Sequence, residues 1–271
     1  MTDKLGELLE VGQGEGYQIW KMSFAPVNAL NPLLLASLDA QLSRAVEDET
    51  IAAVVLTSGL KIFSAGGDAG WMGQVLAERG PQGLVDEFNR TMDTFRELCV
   101  KLRRSPLLVI AALNGHTLAG GLELAAACDL RFSSNSERLQ IGVPEMDLFG
   151  AMPTGGGGAQ FLTRILGPSR ALEFILEAKP VAPEAALRMG LVDRLYRPEE
   201  LAAKSEEFAA AVAKKAGRIG VSAAKKSILG GWELPLQEAL ELDRSLHWDA
   251  MRRGNFQRGV GDFINRFGAS K

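Results

Sequence analysis

LNGHTLAGGLELAAA, residues Leu113 to Ala127, is the stretch on which the reading of this chain turns. It continues an apolar run, Leu107 to Leu113, rich in leucine, valine and isoleucine, and passes through the turn pair Asn114-Gly115. Gly120-Gly121 follow, and then Leu122 to Ala127, mostly good helix formers. The pattern predicts a buried strand, a tight turn and a helix whose first turn is glycine. A helix start leaves free N–H groups and a partial positive charge, and glycine there lets a ligand come close to the backbone. Glu123 sits on that first turn in otherwise apolar surroundings. A carboxylate beside an oxyanion-binding N–H forms a catalytic pair. The competing reading has the glycines serving only packing and Glu123 only the helix dipole. The stretch by itself leaves both open.

A second stretch separates them. Ile62 to Asp68 reads IFSAGGD and follows another strand-like run, Ile51 to Thr57. It too places small residues and bare backbone at a strand end, where ligands of open α/β folds gather. Two such turns can each direct one N–H at the same oxygen. FSAGGD, then NGHTLAGGLELAAACDL, then VPE at Val143 to Glu145, resemble the three signature blocks of the crotonase (enoyl-CoA hydratase/isomerase) family. PVNALN at Pro26 to Asn31 and GLVDRL at Gly190 to Leu195 add to the match, which runs from Tyr17 to Phe267. The resemblance implies an α/β crotonase (ClpP/crotonase-like) fold. It places a ββα spiral core at residues 1–197 and a helical trimerisation region at 198–271.

At 271 residues, with 46% hydrophobic and 23% charged side chains, the chain has an ordinary globular balance and ample core. A net charge of −3 gives no electrostatic case for a nucleic-acid partner, although a local basic spot can hold a phosphate. Two cysteines, Cys99 and Cys128, allow neither a disulfide framework nor metal-ligand spacing, so no metal is expected. No apolar run approaches the ~20 residues of a membrane span, and the first ten residues lack a signal core. The expectation is a cytoplasmic protein with no membrane partner.

Along the chain, residues before about Gly16 are polar and glycine-rich and are expected to fray. Tyr17 to Phe24 reads as a strand, and Asn31-Pro32 as a helix start with asparagine as cap and proline at the first position. Trp71 to Gly83, with Gly73, Gly80 and Pro81, reads as an irregular, mobile segment lining an acyl pocket; regular helix resumes from Val85 to Leu102. Strands are expected at Leu130 to Ser133, Leu139 to Gly142 and Gly190 to Leu195. Helices are expected from Ala159 to Leu166, from Ser169, after Ala182-Pro183, and throughout the chain beyond Pro198.

The resemblance assigns chemistry residue by residue. The backbone N–H groups of Gly67 and Gly120 would hold a thioester oxygen as it gains negative charge. Glu123 and Glu145 occupy the two glutamate positions of the hydratases and would share the handling of water and proton. Isomerases of the same fold often keep only the second, which makes enoyl-CoA isomerisation the runner-up; a non-catalytic acyl-CoA-binding homologue is the rival of another class. Coenzyme A enters only as part of the substrate, with no separate cofactor. Val27, Ala29, Ala65, Gly66, Gly67, Asp68, Trp71, Gly120 and Phe263 are the expected substrate contacts, with Phe267 beside Phe263. Lys21, Lys61, Arg258, Arg266 and Lys271 are weaker choices for its phosphates. Met72, Leu76, Leu84 and Phe88 join Trp71 in the apolar pocket, and a homotrimer or homohexamer is implied. One departure stands out: Glu145 to Leu162, EMDLFGAMPTGGGGAQFL, is longer than the usual connection and carries four consecutive glycines. It brings Asp147 toward the site as an alternative acid. No Lys-Ser or Lys-Thr follows the glycines, so the run is no P-loop. His116 reads as a structural residue.

Overall fold

A computed structural model of the chain describes residues 8–150, 152–254 and 256–268, with the side chain of Arg258 excepted. Six strands form one sheet in the order β1-β2-β3-β4-β6-β8. They are β1 (Leu9–Gly14), β2 (Tyr17–Met22), β3 (Ala53–Ser58), β4 (Leu108–Leu113), β6 (Leu130–Ser134) and β8 (Arg194–Tyr196). All neighbours run parallel except β1 and β2, which form an antiparallel hairpin. Strand β1 corrects the expectation of a frayed N-terminus: its glycines are accommodated because it is an edge strand, bonded on one side only. The central strands β3 and β4 are buried almost throughout, as a parallel sheet covered on both faces demands.

One face is covered by α1 (Pro32–Glu47), α2 (Ala69–Arg104) and α3 (Gly120–Ala127). Asn31 caps α1 as its position suggested, its Oδ1 accepting from Leu33 N at 3.1 Å and Leu34 N at 3.0 Å. The segment Trp71 to Gly83, read as irregular, is helical: it forms the first part of α2, and only Gly80 breaks the helical geometry, at φ 69°. Asp68 starts that helix by accepting from Trp71 N, and Pro81 begins the second limb just after the kink. Local composition suggested a loop because glycine and proline signal breaks without saying that helix continues on both sides.

Shorter elements complete the core. A second sheet pairs β5 (Thr117–Leu118) with β7 (Ile141–Gly142) in parallel. Helices α4 (Glu145–Leu148), α5 (Gly158–Leu166), α6 (Pro168–Glu177) and α7 (Pro183–Met189) follow. The other face of the main sheet is covered by α8 (Leu201–Lys225), whose Leu201, Phe208 and Ala209 pack on Ala53, Val55, Ile110 and Phe132. Lys225 fastens its end: Nζ donates to Leu102 O (3.0 Å) and Leu107 O (2.8 Å) and pairs with Asp129 at 2.8 Å. A π-helical turn, Lys226–Gly230, leads to α9 (Leu236–Arg253) and α10 (Phe256–Phe267). Helix α9 buries none of its residues, and α10 leaves Phe263, Ile264 and Phe267 exposed. No helix among the described residues is long and apolar enough to cross a membrane.

Candidate active site

The three sequence blocks meet through main-chain hydrogen bonds. Phe63 N and Ser64 N donate to His116 O at 3.0 and 3.2 Å, and Leu118 N donates to Ser64 O at 3.0 Å. Ala119 N then donates to Gly142 O at 2.8 Å, which brings in the segment leading to Glu145. Each block follows a strand of a parallel sheet, so their ends collect at one edge. Val27 belongs to the same cluster, since Ala65 N donates to its carbonyl at 3.0 Å. The loop around it is pinned by buried Asn28, at φ 49°, whose Nδ2 donates to Ser58 Oγ and Phe63 O. Ala29 is buried between them.

Gly66 shows how close the two glycine turns come. A Cβ there would lie 2.6 Å from Ala119 Cβ and 2.9 Å from Gly120 N, and its φ of +93° suits only glycine. Its carbonyl accepts from Leu30 N at 2.7 Å, within a parallel bridge between Leu30 and Gly67. In that pattern the groups flanking Gly67 serve Leu30, so the N–H of Gly67 faces away from the bridge. Gly120 is the first residue of α3, and its N–H has no intrahelical acceptor. Gly67 and Gly120 line one cavity, together with Glu123 and Glu145.

The two carboxyls lie in different surroundings. Glu123, 2% exposed, accepts from Gly158 N at 2.7 Å and from Gly155 N at 3.3 Å. Burial raises its pKa, and the glycine N–H bonds oppose that rise. The four-glycine run is therefore a cradle for a carboxylate of this chain. Its glycines are required by contact: a Cβ on Gly158 would lie 2.7 Å from Glu123 Cγ, and one on Gly156 would lie 2.2 Å from the Phe95 ring. Glu145, 4% exposed, opens the short helix α4, but neither of its carboxyl oxygens has a hydrogen-bond partner among the described residues. Burial first, and the charge of Glu123 second, push its pKa up to about 7.

This difference has a stability consequence. A folded-state pKa near 7, against 4.5 for an ordinary glutamate, means that the native chain holds the proton more tightly than the unfolded chain. The stabilisation is complete below the unfolded value and is lost as pH rises through about 7, amounting to about 3 kcal/mol. Glu145→Gln keeps the shape and removes the titration. The melting temperature of the variant relative to wild type is expected to rise from pH 5 to about pH 7 and to level off above it; a difference that stays constant from pH 5 to pH 8 would refute the assignment.

The cavity measures about 30 Å³, room for a water-sized group, and Leu30, Met72, Phe88, Met92, Phe95, Phe149 and Met152 supply its apolar walls. Met72 and Phe88 are where the sequence reading put them. Trp71, Leu76 and Leu84 do not line it, because α2 is helical there and turns them onto other faces. Leu30, Met92, Phe95, Phe149 and Met152 were not foreseen; Phe95 and Met92 look like ordinary core positions of a helix, and only the fold brings them beside Glu123. Asp68 has a structural role of its own. Its Oδ1 caps α2, and its Oδ2 accepts from Asn31 Nδ2 at 2.8 Å, so it ties two helix starts together. Asp147 is exposed and lies outside the cavity, because α4 turns it to the opposite side from Glu145. His116 is structural as read, its Nδ1 accepting from Gln140 N at 3.1 Å. Phe263 stacks near Phe267, with ring centres 5.0 Å apart, and does not reach the cavity within the chain. Lys21 pairs with Glu10, Lys61 is exposed and Arg266 lies over Phe267; the side chain of Arg258 and all of Lys271 lie outside the described residues. Among the described residues no group of three histidine, cysteine or acidic side chains is arranged to hold a metal.

A parallel sheet whose strand ends bring two glycine turns and two buried glutamates to one cavity defines a crotonase-fold protein. The family model for enoyl-CoA hydratase/isomerase matches residues 17–269. The chain belongs to that family. It is 34% identical to the short-chain-enoyl-CoA hydratase of Clostridium acetobutylicum, over 89% of this chain and 87% of that protein. It is 32% identical to the 2,3-dehydroadipyl-CoA hydratase of Escherichia coli, over 88% of each. The crystal structure of an enoyl-CoA hydratase from Geobacillus kaustophilus superposes with a TM-score of 0.87 at 31% identity, covering 96% of this chain and 94% of that one.

Proposed function

We infer that the chain is an enoyl-CoA hydratase that adds water across the 2,3-double bond of a 2-enoyl-CoA thioester. The observation that carries this reading is the pair of buried carboxyls with opposite surroundings on one water-sized cavity. Glu123, whose two backbone N–H bonds support the charged form against the upward pull of burial, serves as the base. Glu145, raised to about 7, is still protonated in a substantial share of molecules near neutral pH and serves as the acid. Water is held between them; Glu123 takes its proton as oxygen attacks C3. Charge then moves to the thioester oxygen, which the N–H groups of Gly67 and Gly120 receive. Glu145 delivers its proton to C2. Coenzyme A is part of the substrate and no separate cofactor is needed. Val27, Ala29 and Ala65, already side by side, are the segments on which its nucleotide end would rest.

The test is loss of the enoyl-thioester absorbance with crotonyl-CoA. Hydration of crotonyl-CoA or of a longer 2-enoyl-CoA is the expected result. Binding without hydration, together with isomerisation of a 3-enoyl-CoA, would replace this reading by isomerase; binding without either reaction would leave a non-catalytic acyl-CoA-binding protein. The reading includes a homotrimer or homohexamer, supported by the large apolar side chains left exposed on the C-terminal helices and the turn between them, such as Trp232, Leu236 and Phe263. The buried free thiols of Cys99 and Cys128 fit a reducing, cytoplasmic setting.

A further inference from the structure

The outer side of the glycine run forms a second cleft, separate from the cavity that holds Glu123 and Glu145. It measures about 240 Å³ and is lined by Arg96, Arg103, Arg104 and Arg164, together with Val100 and Phe161. Among the described residues the only carboxylate lining it is Glu233, which approaches Arg104 and Arg164 no nearer than 4.0 Å. Arg96 is already paired with Asp93 at 2.5 Å. Three guanidinium groups against one distant carboxylate leave two positive charges in the cleft, on a chain whose net charge is −3. Crowding like charges in a partly buried cleft is unfavourable unless an anion sits among them. The guanidinium of Arg103 is held in place over the Phe161 ring, 5.9 Å from its centre. Gly156 and Gly157 form the glycine edge of the cleft just before α5, whose own first N–H groups are taken by Glu123 and Thr154.

We propose that this cleft binds a phosphoryl-bearing anion of about the size of pyrophosphate. Planar guanidinium groups suit phosphate oxygens, which they can meet in pairs. Two sources share this chemistry: a free phosphate compound, and the phosphate groups of a coenzyme A nucleotide. The site is also linked to the first one through the backbone. Gly156 and Gly157 face the cleft, while Gly155 and Gly158 on either side of them hold Glu123. An anion on the outer side steadies the segment that positions the catalytic base.

The experiment is calorimetric titration of the full-length protein with pyrophosphate and, separately, with adenosine 3′,5′-bisphosphate. Saturable binding that weakens with added salt is expected. Arg104→Gln and Arg164→Gln, both at exposed positions, are each expected to weaken it about tenfold. Glu233→Gln is expected to tighten it, an opposite sign that misfolding cannot produce. Preference for pyrophosphate identifies a free phosphate compound as the source, and preference for the bisphosphate identifies the coenzyme nucleotide. Absence of saturable binding overturns the proposal. So does binding equal in wild type and the arginine variants, which marks an adventitious ion only. A change of oligomeric state in the arginine variants without anion binding would reassign the cleft as a contact between copies of the chain. Binding is measured without an acyl substrate, so this result stands or falls independently of the hydratase reading; a change in hydration rate on adding pyrophosphate, lost in Arg164→Gln, is the arm that depends on that reading.

Discussion

Glu123→Gln and Glu145→Gln are each expected to lower the turnover of crotonyl-CoA hydration by about 10²–10⁴-fold, with KM changed far less. The two variants fail for different reasons. Glutamine at 123 cannot take a proton from water, and its amide would set donors against the N–H groups of Gly155 and Gly158, which need an acceptor. Glutamine at 145 imitates the protonated carboxyl in shape and polarity but has no proton to deliver to carbon. Its effect therefore separates proton transfer from positioning. In wild type the acid form of Glu145 is lost as pH rises through about 7, so hydration is expected to decline above neutrality. Either variant retaining a tenth or more of wild-type turnover would remove that glutamate from the chemistry.

Gly66→Ala is expected to reduce kcat/KM by about 10²–10³-fold, although residue 66 carries neither of the proposed donors. The new methyl group would meet Ala119 Cβ at 2.6 Å and Gly120 N at 2.9 Å. Both are main-chain-anchored positions that cannot swing aside, so the two glycine turns must separate. The N–H groups of Gly67 and Gly120 then no longer converge on one oxygen. The positive φ adds strain of roughly 1–2 kcal/mol at the same residue. Gly73→Ala, just beyond in the first part of α2 and with open space around its Cβ, is the control and is expected to keep near-wild-type activity. Equal activities of the two variants would show that the approach of the turns does not govern catalysis.

The sequence by itself determined a good deal here, wherever a physical requirement is written into consecutive residues. Buried parallel strands need unbroken apolar runs, so Ile51 to Thr57 and Leu107 to Leu113 could be read directly. A close backbone approach needs glycine, so Gly66-Gly67 and Gly120-Gly121 announced where two turns meet. Asn31-Pro32 announced a helix start because capping is a local matter. Helix within Trp71 to Gly83 was hidden by Gly80 and Pro81, and strand β1 by its glycines, since both elements depend on partners distant in sequence. What only the tertiary structure decided is the inequality of the two glutamates. Nothing near Glu123 in sequence reveals that Gly155 and Gly158, more than thirty residues on, donate to it. Nothing near Glu145 reveals that its oxygens are buried without a partner. The surroundings of a carboxyl set its proton affinity, and those surroundings are assembled from segments that only folding brings together.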